Sequence, residues 1–549
     1  MDTITHAFPT LGTDEMAVIR AMATVRECAD GEVVLRAGQA DIDFYVVDAG
    51  GLEILNPTDD DKTIAFHGPG EFAGDIDLLT RRPIVITAVA RGPTRLLRVP
   101  GNDLRKLLNT IPLLSEKLLD AFKLRRQLLE EHGTLGLRVV GHGTCSRTTV
   151  VREFLFKNFV PHTWFDNERG RGREILDRLH VSPHDEAKMP VVECGDGTVL
   201  VNPSLARLAG CAGIRRQCPD RVFDLAVVGA GPAGLAAAVY AASEALSTVV
   251  LDKLGPGGQA GGSSRIENFI GFPSGLSGTE LATRGVLQML KFGALLVTPA
   301  DVTKLLPADA DNVHRLQLDD GSTVRARTVL VATGARWRRL PAANADRFER
   351  SGVFYACTTV ESRLCVGVDV AVVGAGNSAG QAAMFLSDSS RTVHMFVRGT
   401  DVAKGMSDYL VARIRSRPNI VVHTVTEVET VHGDQQLTGV TVVDKSTGDR
   451  RRVDLRAVFC FIGADPHAQW LPPEVAVDDK GYVLAGHDVE RAGRWALDRD
   501  PCPLETSLPG VLAAGDVRAG ATKRVGFAVG DGSLAVTCVH RLRTLHGWV

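Results

Sequence analysis

Two hexapeptides place glycines where they can do chemistry: Gly229-Ala230-Gly231-Pro232-Ala233-Gly234 and Gly374-Ala375-Gly376-Asn377-Ser378-Ala379. Each follows an apolar run, Asp224-Leu225-Ala226-Val227-Val228 for the first and Val370-Ala371-Val372-Val373 for the second. Strand, glycine turn and helix in that order form a cradle for a dinucleotide pyrophosphate. Gly229 permits the tight turn, Gly231 lets the backbone approach the phosphates, and Gly234 lets helix and strand pack closely. Pro232 and Ala233 open the helix, whose free N–H groups hold the phosphates. The next strand, Thr248 to Leu251, ends on Asp252, which can accept from a ribose hydroxyl. At the second cradle Gly374, Gly376 and Ala379 take the glycine-loop positions, and Asn377 and Ser378 open the helix. The strand that follows, Thr392 to Val397, ends on Arg398 in place of an acid. An acid repels a ribose 2′-phosphate, whereas an arginine pairs with it bidentately, and Lys404 adds charge nearby. The second cradle therefore favours NADPH over NADH.

The elements that carry these loops belong to a long chain. Its 549 residues exceed one hydrophobic core, so two to four domains are expected. Apolar residues make up 44% and charged residues 23%, and the formal net charge of -3 gives no pull toward nucleic acid or an anionic membrane. Met1 to Thr10 has no apolar core and reads as no signal peptide, and no run approaches 18 apolar residues. The ten cysteines are scattered without a Cys-x-x-Cys pair; Cys194, Cys211 and Cys218 lack zinc-ligand spacing and read as unpaired thiols. A cytoplasmic protein without a metal centre is expected.

The fold class expected is multidomain α/β. Residues 31 to 100 show short alternating runs broken by Gly, Pro and Asp, as in a β-roll. A helical stretch, Asn102 to Glu131, is interrupted by Pro112, which predicts two helices or a kink. From Gly136, strands and helices alternate. From Phe223 to the C-terminus the two cradles repeat one architecture, with Asp319-Asp320-Gly321 marking a hairpin between them.

The order of motifs over about residues 222 to 545 resembles the low-molecular-weight thioredoxin reductases. Gly257-Gly258-Gln259 followed by Ile266-Glu267-Asn268-Phe269 is similar to that family's flavin-binding segment. Ala332-Thr333-Gly334-Ala335 resembles the turn leaving the FAD domain, and Gly515-Asp516-Val517 the C-terminal motif whose Asp bonds the ribitol. Lys523-Arg524-Val525 opens the last helix, whose N-terminus would face the electron-rich edge of the flavin. The resemblance implies FAD at 222–339 plus 463–549, with Gln259, Asn268, Thr333, Gly334, Gly515, Asp516, Lys523, Arg524 and Val525 at the flavin. It also implies a nicotinamide-binding domain inserted at 340–462, and a homodimer. The family carries a Cys-x-x-Cys pair where this chain has Cys357-Thr358-Thr359-Val360, so the flavin-side cysteine is replaced by Val360. A valine forms no disulfide, and Cys365 is the nearest other thiol to Cys357.

Residues 1–132 resemble a cyclic-nucleotide-binding domain through Gly70-Glu71-Phe72-Ala73-Gly74-Asp75-Ile76-Asp77-Leu78-Leu79. The family's ribose acid falls on Asp75. Its phosphate arginine falls on Ile84, after Pro83, with Arg81 and Arg82 close by. Residues 136–212 resemble a thioredoxin or glutaredoxin fold, with Cys145 alone in the active loop and Met189-Pro190 at the position where the family keeps a cis proline. A thiol at a helix N-terminus has its thiolate stabilised, which makes Cys145 a candidate monothiol centre beside Cys357. Three readings stay open: an NADPH:FAD oxidoreductase with an unidentified electron acceptor, a disulfide reductase using Cys145 or Cys357, and a low-turnover redox or ligand sensor.

Overall fold

The computed structural model describes residues 6–548 apart from 59–60, 132–135, 144, 215–216, 264–265, 267, 350, 356, 358–361, 363–364 and 435. The alternating runs near the N-terminus fold as β1 (Thr24–Cys28), β2 (Val33–Leu35), β3 (Phe44–Asn56), β4 (Lys62–His67), β5 (Phe72–Ala73) and β6 (Thr87–Val99). They form one antiparallel sheet of order β1-β6-β3-β4, with β2 on β6 and β5 on β3. The short helix α1 (Asp77–Thr80) lies between β5 and β6. Helices α2 (Gly101–Thr110) and α3 (Pro112–Glu131) follow, separated at Ile111. Pro112 divides them because it lacks an N–H and its ring suits only a first helical turn.

The next unit runs β7 (Leu137–Val140), α4 (Ser146–Lys157), β8 (His162–Phe165), α5 (Gly170–Arg178), β9 (Val191–Glu193), β10 (Val199–Val201) and α6 (Leu205–Cys211). Its sheet has the order β10-β9-β7-β8, with β7 and β8 parallel and the other pairs antiparallel. The Met189–Pro190 bond is cis. One expectation fails here: Cys194 and Cys211 are joined in a disulfide. Leu208 and Ala209 anchor α6 in the apolar cluster that also holds Cys194. That packing brings the two Cα atoms to 5.7 Å, inside disulfide range, although their sequence separation is 17. Spacing along the chain gave no hint of it.

A seven-stranded sheet carries the first glycine loop. Six of its strands are β11 (Val222–Val228), β12 (Thr248–Leu251), β13 (Leu295–Val297), β14 (Val302–Leu306), β15 (His314–Leu318) and β16 (Thr323–Val331), and the seventh comes from near the C-terminus. Helix α7 (Pro232–Ser243) leads from β11 to β12, and α8 (Gly278–Phe292) precedes β13. The strands run β13-β12-β11-β16-β15-β14, parallel except for the β14–β15–β16 meander, whose β15–β16 turn holds Asp319-Asp320-Gly321. Two strands, β17 (Ala335–Trp337) and β26 (Ala464–Pro466), pair antiparallel and link this unit to the second one.

The second unit is a five-stranded parallel sheet of order β18-β25-β19-β20-β21. Its strands are β18 (Val353–Phe354), β19 (Asp369–Val373), β20 (Thr392–Phe396), β21 (Ile420–His423) and β25 (Ala457–Cys460), with α9 (Asn377–Ser387) between β19 and β20. A three-stranded antiparallel sheet, β22 (Thr426–Gly433), β23 (Leu437–Asp444) and β24 (Arg450–Asp454), packs beside it. The chain then returns to the first sheet: β27 (Val511–Ala513) pairs parallel with β16, and the long helix α10 (Val525–His546) packs on α7. The N-terminal unit packs on the flank of the first glycine-loop unit, since Leu104, Leu107 and Leu108 of α2 share one apolar cluster with Val286, Met289 and Leu290 of α8. No helix among the described residues is long and apolar enough to cross a membrane.

Candidate functional site

The first cradle is built on the buried strand β11, which ends at Val228, immediately before Gly229. Gly229 has φ +107°, and a Cβ there would run into the carbonyl of Ala332, so the loop lies directly against the 332–334 turn. Gly231 caps α7, with Pro232 at its first position. A Cβ on Gly234 would strike the Gly229 carbonyl, which is the close helix–strand contact its position requires. Gly231 is different: the nearest atom to its missing Cβ is the Cα of Gly258, at 3.8 Å. The floor of the cradle is thus two facing glycine backbones, and the first N–H groups of α7 have no partner within the helix.

Gly515 and Asp516 come to the same place from far along the chain. A Cβ on Gly515 would lie 3.1 Å from that of Ala233. Gly515 N–H donates to Asp531 (3.0 Å), a carboxylate that also binds Arg518 (3.2 Å). The Asp516 side chain is half-buried and makes no hydrogen bond among the described residues. Burial holds its carboxyl above the usual range, Lys523 pulls it down, and Asp531 pushes it up. Lys523 sits 4.3 Å from the centre of the Tyr482 ring and bonds its hydroxyl. Arg524 caps α10, and Val525 is its first residue. An open glycine floor, unpaired helix N–H groups and an unbonded half-buried acid fit a dinucleotide.

Other residues implied by resemblance have protein partners. Thr333 donates to the His467 carbonyl (2.6 Å), and the Gln259 amide donates to that of Ala335, so both pin the turn around Gly334. Asn268 is exposed, beside the stacked rings of Phe269 and Phe272; Glu267 of the same motif lies outside the described residues. Asp252 accepts from the N–H groups of Ala230 (2.8 Å), Leu254 (2.9 Å) and Gly255 (2.7 Å). A carboxylate offers roughly four acceptor positions, so about one remains for a ribose hydroxyl.

The second cradle repeats the first. Gly374 has φ +135°, and its Cβ would strike the Phe461 carbonyl. Around the missing Cβ of Gly376, which caps α9, no atom lies within 4 Å. Asn377 accepts from the Ser407 N–H (2.8 Å), Ser378 is exposed, and Ala379 is buried. Arg398 and Lys404 are exposed, and Arg398 has no ion pair among the described residues. Sequence reading missed a neighbouring cluster: His394 meets His423 (3.1 Å), and Arg451 meets the other ring nitrogen of His423 (3.0 Å). Burial, Arg451 and His394 together push His423 down to about 4, so the ring is neutral at pH 7. It borders a cavity of about 330 Å³. No motif links these residues; strand pairing of β20 with β21 brings the two histidines together.

Of the two candidate thiols, Cys145 lies in a different unit from both cradles, whereas Cys357 packs on the same apolar cluster as Ala375 and Ala379 of the second. Cys145 caps α4 on the four-stranded sheet, next to a cavity of about 290 Å³ lined by Ser146, Arg147, Pro190 and Asn202. Cys357 packs against the apolar cluster of the second unit, which includes Cys365; the two are not disulfide-bonded. Val360 lies outside the described residues. In the N-terminal unit Arg126 binds both Asp75 and Asp77 (2.6 Å each), Arg81 bonds Asn102, Arg82 bonds the Asn158 carbonyl, and Ile84 is buried.

Residues 223–532 match the profile of the pyridine nucleotide-disulphide oxidoreductases. The chain belongs to that family. Pyridine nucleotide-disulphide oxidoreductases are NAD(P)H-dependent flavoproteins, and the two cradles fall within the matched segment. Residues 25–111 match the cyclic nucleotide-binding domain. An alkyl hydroperoxide reductase component of Xanthomonas campestris pv. phaseoli is 32% identical over 326 residues, 59% of this chain and 58% of that protein. An NADH dehydrogenase of Bacillus subtilis is 30% identical over 342 residues, 62% of each chain. The chain thus spans about three fifths of the length of the curated relatives it matches. The thioredoxin reductase of T. acidophilum, 29% identical with a TM-score of 0.50, is covered over 99% of its length by 59% of this oxidoreductase. That of Lactococcus lactis, at 23% identity and a TM-score of 0.51, shares the fold.

Proposed function

We propose that the chain transfers hydride from NADPH to FAD and passes the electrons to a separate acceptor. The observation that carries this reading is the pair of like cradles in one chain, each open above its central glycine, at Gly231 and Gly376. FAD, when bound, supplies a two-electron carrier between the nicotinamide and the acceptor. The chain's own residues bind and orient. The Gly229 loop and the first turn of α7 hold the flavin dinucleotide's phosphates, Asp252 its ribose, and Asp516 its ribityl chain. The N-terminus of α10 at Val525 lends partial positive charge. Gly374, Gly376 and Ala379 hold the nicotinamide dinucleotide, and Arg398 selects its 2′-phosphate. No side-chain acid or base is required for the hydride step itself. Exposed Phe527 and Leu534 on α10 support assembly as a homodimer.

The test is stopped-flow absorbance of the full chain mixed anaerobically with NADPH. Rapid bleaching of the flavin band near roughly 450 nm, reversed by one class of acceptor, supports the proposal. A yellow protein that NADPH does not bleach overturns it and leaves the sensor reading. The position of Cys145 at the start of α4, beside a cavity, favours a second reading in which electrons leave by reduction of a disulfide. Cys145→Ser with Cys357→Ser then abolishes disulfide reduction and spares dye reduction. For residues 25–111 the engagement of Asp75, Arg81 and Arg82 by other side chains and backbone supports docking over cyclic-nucleotide binding.

A further inference from the structure

Asn158 ends helix α4 in the four-stranded unit, yet its polar atoms reach three units of the chain. It is almost fully buried, at 1% exposure. Its amide nitrogen donates to Phe154 O (2.8 Å), closing its own helix, and to Leu254 O (2.8 Å) on the loop after β12. Its amide oxygen accepts from the Thr298 hydroxyl, just after β13. Its backbone carbonyl accepts from the guanidinium of Arg82 in the N-terminal unit. The contact is close: a Cβ on Gly255 would lie 2.8 Å from the Asn158 amide nitrogen.

The two segments gripped by this one amide are those that hold Asp252. Leu254 and Gly255 donate their N–H groups to one carboxylate oxygen (2.9 and 2.7 Å), and Ala230 of the glycine loop donates to the other (2.8 Å). On the Thr298 side, Asp252 N–H donates to Val297 O (3.2 Å), and Ala300 N–H donates to Asp252 O (2.8 Å). Buried hydrogen-bonded networks of this kind fix geometry, because each member left unpaired costs its full desolvation.

We infer that Asn158 is a positioning residue for the flavin dinucleotide: through Leu254 and Thr298 it sets the loop that aims the Asp252 carboxylate at the adenosine ribose and ties it to the Gly229 loop. This rests on the proposed FAD reading of the first cradle. A holder from another unit makes flavin retention depend on the docking of residues 136–212, with no contact between that unit and the isoalloxazine required.

The experiment uses the full chain, stripped of flavin and titrated with FAD by quenching of flavin fluorescence. Asn158→Leu keeps the number and branching of the side-chain heavy atoms and removes all three side-chain hydrogen bonds. The expected result is an FAD dissociation constant raised tenfold or more, with the NADPH KM of the FAD-saturated variant within twofold of the unsubstituted protein. A purely structural role lowers thermal stability without that split. Thr298→Val, which deletes one hydroxyl, gives a smaller rise of threefold or more, and Thr298→Ser restores native affinity; this pair decides the matter if Asn158→Leu fails to fold. FAD affinity unchanged in folded Asn158→Leu, or in Thr298→Val, overturns the inference. If the unsubstituted chain binds no FAD at all, the FAD reading falls and takes the inference with it, a result visible before any variant is made.

Discussion

Gly376→Ala separates folding from cofactor binding. Gly376 caps α9 with φ −85° and ψ 174°, an extended conformation that alanine adopts without strain. No atom lies within 4 Å of the Cβ to be added, so nothing in the protein resists it. Alanine is a poorer cap than glycine, which costs about 1 kcal/mol or less. Against the dinucleotide the same methyl is severe, because the backbone must approach the pyrophosphate at this point. An added methyl in a filled space costs about 1–3 kcal/mol, or roughly 5- to 150-fold in binding. The assay is the NADPH dependence of flavin bleaching, with thermal unfolding followed by circular dichroism on the same sample. The expected outcome is a KM for NADPH raised about tenfold or more, with an unfolding temperature close to native and flavin content unchanged. Gly374→Ala provides the contrast: at φ +135°, with its Cβ driven into the Phe461 carbonyl, it lowers stability as well as bleaching. A Gly376→Ala protein with native stability and native NADPH kinetics would refute the assignment of this loop to the nicotinamide dinucleotide.

Three other outcomes are expected. Arg398→Ala removes an exposed guanidinium with no ion pair among the described residues; kcat/KM for NADPH falls about 10- to 100-fold while that for NADH stays within about threefold, and equal losses with both donors contradict the 2′-phosphate role. Burial pushes the Asp77 carboxyl up to about 6, against the attraction of Arg126 and with repulsion from Asp75. Its native value lies above the unfolded one of about 4, so the native state holds the proton more tightly. The stability it contributes is complete below about pH 4 and lost as pH rises through about 6; relative to Asp77→Asn, the unsubstituted protein loses unfolding temperature across that window, and parallel curves contradict this. Cys211→Ala opens a loop with a sequence separation of 17, and the unfolding free energy of that unit drops by about 3 kcal/mol; thiol reductant reproduces the loss in the unsubstituted protein, and no shift with either treatment argues against a disulfide in solution.

The sequence by itself determined the two cradles, because their chemistry is local. A strand, a glycine that must take positive φ, and a helix start lie within a dozen residues, so Gly229 and Gly374 announce the turns before any tertiary contact forms. The break at Pro112 is local for the same reason, being a missing N–H. Tertiary structure alone decided what lies between distant segments. The Cys194–Cys211 bond depends on how α6 packs, and the His394–His423–Arg451 cluster depends on strand register. Strand pairing of β27 with β16 brings Gly515 to Ala233, about 280 residues earlier in the chain. Asp252 was legible as an acid after a strand, but not its three backbone donors. Nor was the asparagine 94 positions earlier that grips the segments on both sides of it. A buried amide has no pattern in sequence; its partners are chosen by which surfaces meet, and a cost of about 1–3 kcal/mol for each polar group left unpaired holds them in place.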